Sequence, residues 1–304
     1  MVTLALYTKI DSHRTLLDFL RNPPPMHFEP LSLALAFASF VLARVLLAPA
    51  YRSLIRDFYP APPWRVISSV AWLSQMGKYV PGKIFTVAGF AWMMRRFGIP
   101  VSFGLTAVVL LTGVFVLLGV VLSVPLMFQE PLASLVPHGG LLCALLLAAG
   151  LACLHPRILG GVANFMLKLL RRPPILVSHR KGSYVQLVLN CLGQWLFVGL
   201  SMYFMLKSIS DVPIGPKMFG VIVAASALST TLGILVFFLP AGLGVREAVL
   251  LATLQSVIPG LSVDTLLWAI LGTRVIQTLV EFFMAAVGYV ILRSPKTRAM
   301  EVTP

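Results

Sequence analysis

Residues 77–84 read GKYVPGKI, two glycines separated by four residues with a lysine straight after the second, and the reading of this stretch decides what kind of fold the chain can have. In a soluble sheet the spacing would open a phosphate-binding loop. That loop needs a Ser or Thr after its lysine to hold magnesium, a strand before it and a helix after it. Here Ile84 follows Lys83, Pro81 sits inside the loop, and the flanks VAWLSQM and FTVAGFAWMM are apolar. No acidic Walker B strand accompanies it, so a nucleotide site is disfavoured. The stretch reads instead as an apolar helix that stops at Pro81-Gly82 and restarts.

The surroundings bear on that reading. Of 304 residues, 58% are hydrophobic and 11% charged, and the mean hydropathy is +0.92. A water-soluble domain does not carry that composition, so a polytopic membrane protein is expected. The net charge of +14 would fit nucleic acid only if Lys and Arg covered a polar surface. They cluster between apolar runs, as in cytoplasmic loops beside anionic lipid. Cys143, Cys153 and Cys191 lie in apolar stretches without CxxC pairing, which argues for packing residues over disulfides or zinc.

A spanning helix needs about 20 mainly apolar residues. Spans are expected at 31–50, 101–128, 141–154 with its flanks, 184–206 and 263–292. Two further apolar stretches are interrupted: 66–94 by Pro81-Gly82, and 217–257 by Pro240 to Gly244. Both arms of the first and the second arm of the other are too short to cross alone. Such breaks are tolerated at membrane depth only where protein or a wet cavity satisfies the freed backbone groups.

Orientation follows from basic residues in short loops. Arg52, Arg56 and Arg65 precede the first interrupted segment and Arg95 and Arg96 follow it, so it enters and leaves on the cytoplasmic side. The loop at 155–181 and the tail with Arg293, Lys296 and Arg298 are also inward. The second interrupted segment then begins and ends outside. The landmarks Pro81 with Ser102 and Pro240 with Ser262 are displaced by roughly 160 residues, as an internal duplication would give. The expected fold is therefore an all-α polytopic membrane protein, an inverted repeat of spanning helices with two re-entrant, Pro/Gly-broken hairpins at about 65–97 and 217–258. Its parts are an amino-terminal surface or interfacial segment (1–30), a first repeat (31–128), a connecting span with a basic loop (129–183), a second repeat (184–292) and a cytoplasmic tail (293–304). Proline and glycine kink membrane helices routinely, so a coincidental symmetry is the competing reading.

Short broken segments at matching positions point to a transporter's substrate site. The half-helix after Gly82 presents its positive dipole end to the membrane, with Lys78 and Lys83 beside it. A lysine near the bilayer centre costs about 2.5–3.5 kcal/mol. Either the two snorkel to the headgroup layer or an anion in a wet cavity holds them. Gln75 and Tyr79 are neighbours able to donate to a phosphate oxygen. The second break, FLPAGLGVREA, repeats the plan with Pro240, Gly242, Gly244, Arg246 and Glu247. On the last helix Arg274, Gln277, Thr278 and Glu281 fall at i, i+3, i+4 and i+7, which is one face. That stripe is either a ligand lining or a structural ion pair of Arg274 with Glu247 or Glu281. The helix at 101–128 has no counterpart stripe. Scattered histidines without HExxH and only about two carboxylates at core depth argue against an enzyme and against a metal or cofactor.

KYVPGKIF and FLPAGLGVREAVL, half a chain apart, resemble the lysylphosphatidylglycerol synthase transmembrane-region family of flippase-like integral membrane proteins over roughly residues 31–292. The proline, glycines and Val-Arg-Glu of the second motif are the specific part. The resemblance implies movement of a lipid with a charged or glycosylated headgroup between leaflets. By motif match it implies roles for Pro81, Gly82, Pro240, Gly242, Gly244, Arg246 and Glu247. Phe85 and Thr86 stand where many members have an acidic residue, and Ala241 where a glycine is usual. No aminoacyl-transferase domain is expected after Leu292, which favours a polyprenyl-phosphate-linked sugar or another charged phospholipid over an aminoacyl lipid. The expected function is a flippase-like transporter in a prokaryotic cytoplasmic membrane, with the carboxyl terminus inside. A membrane enzyme or accessory subunit acting on polyprenyl-linked envelope glycans is the alternative. Expected partners are the bilayer and an anionic-headgroup lipid, and no nucleic acid; a homo-oligomer or an envelope-synthesis complex stays open.

Overall fold

Lipid offers no hydrogen bonds, so a chain this apolar must satisfy its backbone within its own helices or within a closed barrel. The computed structural model describes residues 29–56, 59–60, 62–80, 84–129, 144–145, 147–150, 152, 155–169, 171, 181–210, 212–236, 239–258 and 260–301, and among these it is all-helical, without strands. The expected segment 1–30 lies almost wholly outside the described residues. So do Pro81, Gly82, Lys83, Cys143, Cys153 and much of the expected span 141–154.

Helix α1 (Pro30–Val45) runs through Leu46 into α2 (Leu47–Ile55). Then α3 (Trp64–Ser74) tightens into a 3-10 turn (Gln75–Tyr79), and α4 (Ile84–Arg95) follows. Next come α5 (Val101–Ser123), α6 (Pro156–Leu169) and α7 (Lys181–Ile209). The last group is α8 (Phe219–Leu235), a second 3-10 turn (Pro240–Gly242), α9 (Val245–Val257), α10 (Val263–Arg293) and the short α11 (Pro295–Arg298).

Five stretches are long and apolar enough to span a bilayer: Pro30–Ile55, Val101–Leu126, Gly182–Ile209, Pro216–Leu235 and Val263–Arg293. Four coincide with expected spans; Pro216–Leu235 is the first arm of the second interrupted segment. With 12 and 13 residues, α4 and α9 reach only about 18–20 Å, well short of a hydrocarbon core of about 30 Å. Leu42, Val275, Leu279, Phe283 and Val290 are exposed on the spanning helices, where lipid and not water is their natural solvent.

The packing has a pattern. Helix α1 lies along α7, α3 along α10, and α5 along α8. Helices α4 and α5 pair as α9 and α10 do, α3 and α4 pair as α8 and α9 do, and the two 3-10 turns touch each other. Exchanging α1–α2 with α7, α3 with α8, α4 with α9 and α5 with α10 leaves these pairings unchanged. Close approach needs missing side chains. A Cβ on Gly119 of α5 would lie 2.2 Å from Thr231 Oγ1 and 2.6 Å from the Trp195 ring, while Trp195 stacks on Phe115 at 4.1 Å and donates its indole N–H to the Phe115 carbonyl at 3.0 Å. Cys191 is buried on α7.

Three contacts fix which ends lie together. A Cβ on Gly288, near the end of α10, would sit 3.0 Å from Ser69 O, midway along α3, and the turn after α3 meets Glu281 earlier on α10, so α3 begins towards the end of α10. Arg96, just after α4, pairs with Glu301 of the tail at 3.8 Å. The start of α3, the end of α4 and the tail therefore share one end of α10.

Candidate functional site

Helix α3 ends where Gly77 allows the chain to fold back on itself. A Cβ there would fall 2.2 Å from the Thr86 amide nitrogen and 2.4 Å from the Phe85 carbonyl carbon. The tight turn pushes its next two side chains sideways onto the middle of α10. Lys78 Nζ reaches Glu281 Oε1 at 2.5 Å, the Tyr79 hydroxyl donates to Glu281 Oε2 at 2.6 Å, and the Tyr79 ring packs on Phe282 at 5.7 Å. Arg44, near the end of α1, brings its Nε to 3.5 Å from Glu281 Oε1 while its guanidinium covers the Phe40 ring at 4.6 Å. Trp72 of α3 donates to the Arg44 carbonyl at 3.1 Å and holds the two helices in register. Glu281 is 2% exposed, so a carboxylate with two hydrogen-bond donors and a second cation, Arg44, beside it is the state such burial permits.

The second turn is built from unusual backbone. Ala241 (φ 51°), Gly242 (φ 69°) and Gly244 (φ 84°) all occupy the left-handed region. Gly242 lies so close to α8 that a Cβ would come 2.7 Å from Gly233 O. Beyond Pro240 and this turn, α9 restarts at Val245, and the Gly244 N–H donates to Glu247 Oε2 at 2.7 Å. The positive end of α9 thus already holds an anion, its own Glu247, where the sequence left that dipole end open to a ligand. Arg274 Nε pairs with Glu247 Oε1, and its Nη2 lies 3.5 Å from the Ala241 carbonyl. Of the two ion pairs open to Arg274, the structure contains the one with Glu247.

The two halves form one charged cluster. Arg44, Lys78, Arg246 and Arg274 face two carboxylates, Glu247 and Glu281, which leaves two positive charges in excess. Arg246 feels the fields of Arg44, Arg274, Glu247 and Glu281, yet among the described residues it makes no hydrogen bond and no ion pair within 4 Å. It lines a small recess between α9 and α10 with Glu247, Thr273, Arg274 and Gln277, floored by Leu250 and Ile270. Gln277 is 5% exposed, and its amide has no hydrogen-bond partner among the described residues. The Thr273 hydroxyl donates to Ala269 O at 2.7 Å, which leaves its lone pairs free.

The residues singled out in the sequence are distributed as follows. Lys78, Tyr79 and Glu281 meet at one end of the cluster, and Arg246, Glu247, Arg274 and Gln277 meet at the other. Pro240, Gly242 and Gly244 shape the second turn. Gln75 is half-buried on the first turn, without a side-chain partner among the described residues. Pro81, Gly82 and Lys83 lie outside the described residues. Sequence reasoning missed Arg44, which reads as one more flanking cation at the end of an apolar run. It also missed Thr273, one residue before Arg274 and outside the polar stripe. Among the described residues no three His, Cys, Asp or Glu side chains converge as metal ligands.

Residues 22–286 match the family described as the lysylphosphatidylglycerol synthase TM region. No curated protein matches the chain.

Proposed function

The chain belongs to the lysylphosphatidylglycerol synthase TM region family, an integral membrane family linked to lipid or envelope biosynthesis, and on that premise we propose that it moves an anionic lipid between the two leaflets. The observation that carries this reading is the meeting of both interrupted segments at mid-height of α10, around more cations than carboxylates. Excess positive charge in a poorly hydrated site is costly, and a transient anionic headgroup offsets it. A lipid's tails stay in the bilayer while its headgroup crosses, so a site open sideways to lipid suits the task.

Depth supports the re-entrant arrangement. Glu281, which holds the first turn, lies 12 residues before the end of the 31-residue α10, and Arg274, which holds the second, lies 11 residues after its start. At 1.5 Å per residue each turn sits about 17–18 Å in from opposite ends of that helix. The first hairpin is approached from the tail's end and the second from the other. Together with the packing pattern that survives exchange of the two halves, this favours an inverted repeat that alternates access by rocking one repeat against the other. The basic residues beside the tail favour a cytoplasmic position for that end, in a prokaryotic inner membrane on this reading.

The test is headgroup translocation in proteoliposomes carrying a polyprenyl-phosphate-linked sugar or phosphatidylglycerol. Arg246→Ala is expected to slow flipping at least tenfold; a rate equal to the parent protein's refutes the site. A membrane enzyme acting on polyprenyl-linked glycans would instead convert its lipid chemically in detergent, where there is no second compartment.

A further inference from the structure

We infer that the cluster takes a headgroup carrying two negative phosphate charges, as a phosphomonoester or a diphosphate diester does, and rejects headgroups that carry an ammonium; this rests on the anionic-lipid reading above and narrows it. Three observations combine. The charge surplus among the described residues is two, so a monoanionic phosphodiester leaves one buried cation without a counter-charge, whereas a dianion closes the balance. Both carboxylates are already engaged. Glu247 is held by Arg274 and the Gly244 N–H, and Glu281 by Lys78, Tyr79 and Arg44. An ammonium entering the recess therefore finds no free acidic acceptor and meets Arg246 at close range. The uncommitted charged group in the recess is the Arg246 guanidinium; the neutral groups beside it, the Gln277 amide and the Thr273 hydroxyl oxygen, can serve either kind of ligand, so the charge of Arg246 sets the preference. A guanidinium fork matches the oxygens of a phosphate in geometry as well as in charge.

The arrangement differs from a site for an aminoacylated phospholipid, whose amines would need an unpaired Asp or Glu. It also makes Arg246 a specificity-determining residue and not only a local cation. The same chemistry could come from free inorganic phosphate, and the binding experiment separates the two sources.

The experiment uses the full chain in neutral-lipid nanodiscs, with competition binding at one pH and one salt concentration. Probes are farnesyl monophosphate, a farnesyl-diphosphate-linked sugar (a diphosphate diester), dioleoyl-phosphatidylglycerol, lysyl-phosphatidylglycerol, inorganic phosphate and pyrophosphate. The expected result is at least tenfold tighter binding of the two farnesyl phosphates than of phosphatidylglycerol, with no measurable lysyl-phosphatidylglycerol binding. Arg246→Gln should cut farnesyl phosphate affinity at least tenfold, and Arg246→Lys should restore part of it, with both variants eluting as the parent does on size exclusion. Lysyl-phosphatidylglycerol binding as tightly as the farnesyl phosphates overturns the inference, as does an Arg246→Gln variant of unchanged affinity. Inorganic phosphate or pyrophosphate competing as well as its farnesyl ester overturns the lipid as the source. Equilibrium binding is independent of flipping: dianion binding without translocation sinks the transport reading alone, and translocation of lysyl-phosphatidylglycerol sinks this charge assignment alone.

Discussion

Replacing Glu281 by Gln keeps the side chain's shape and removes the one negative charge that Lys78 at 2.5 Å, the Tyr79 hydroxyl at 2.6 Å and Arg44 at 3.5 Å converge on. Removing one partner of a buried ion pair costs about 3–5 kcal/mol, because the remaining charge keeps its desolvation penalty without its counter-charge. Here two cations are stranded together, and the amide oxygen can still accept from one donor, so about 4 kcal/mol is expected. At about 2 °C per kcal/mol for a chain of this size, the unfolding midpoint should fall by about 8 °C. Lys78→Met alone should cost less, about 1–2 kcal/mol, since Glu281 keeps Arg44 and Tyr79. The double variant Lys78→Met/Glu281→Gln removes both charges at once. It should be more stable than the sum of the two single losses by at least about 1.5 kcal/mol. Thermal unfolding in nanodiscs, followed by tryptophan fluorescence, measures all three variants. Additivity to within about 0.5 kcal/mol would mean that the first turn is not latched to α10 by this contact.

Arg246 should behave in the opposite sense. An unpaired cation in a poorly hydrated site destabilises the ligand-free protein, so Arg246→Gln is expected to raise the midpoint by about 2–4 °C, roughly 1–2 kcal/mol, while headgroup translocation falls; a lowered midpoint would show that Arg246 is structural. Gly242→Ala places a Cβ 2.7 Å from Gly233 O in a left-handed conformation, and a loss of about 2 kcal/mol or more should appear in the same unfolding assay. Ala241→Gly relieves a left-handed alanine worth about 1–2 kcal/mol, offset by about 0.4–1 kcal/mol of added freedom in the unfolded chain, so a neutral to slightly stabilised protein is expected. Gly77→Ala forces the first turn off the start of α4, and reduced protection of the 84–90 amides in hydrogen exchange should report it.

Much of the fold was legible because it depends on local properties. Apolar run length sets how many stretches can cross lipid, and Pro and Gly mark where helices stop. The breaks at 77–84 and at Pro240–Gly244 stood out for that reason, as did the polar stripe from Arg274 to Glu281. Glu247 was visible as a carboxylate beside Arg246, but not as the cap of its own half-helix, because that role depends on the φ of Gly244.

By itself, the sequence determined that this is a membrane protein with two apolar segments interrupted by Pro and Gly and with cations beside the interruptions, since composition and punctuation depend on no distant contact. Only the tertiary structure decided which charge meets which. Lys78 and Glu281 are 203 residues apart and Glu247 and Arg274 are 27 apart, and Arg44 joins from a third helix. Helices that are apolar nearly all round carry little record of which face turns inward, so their rotation is set by packing at glycine contacts and by the need of each buried charge to find a partner.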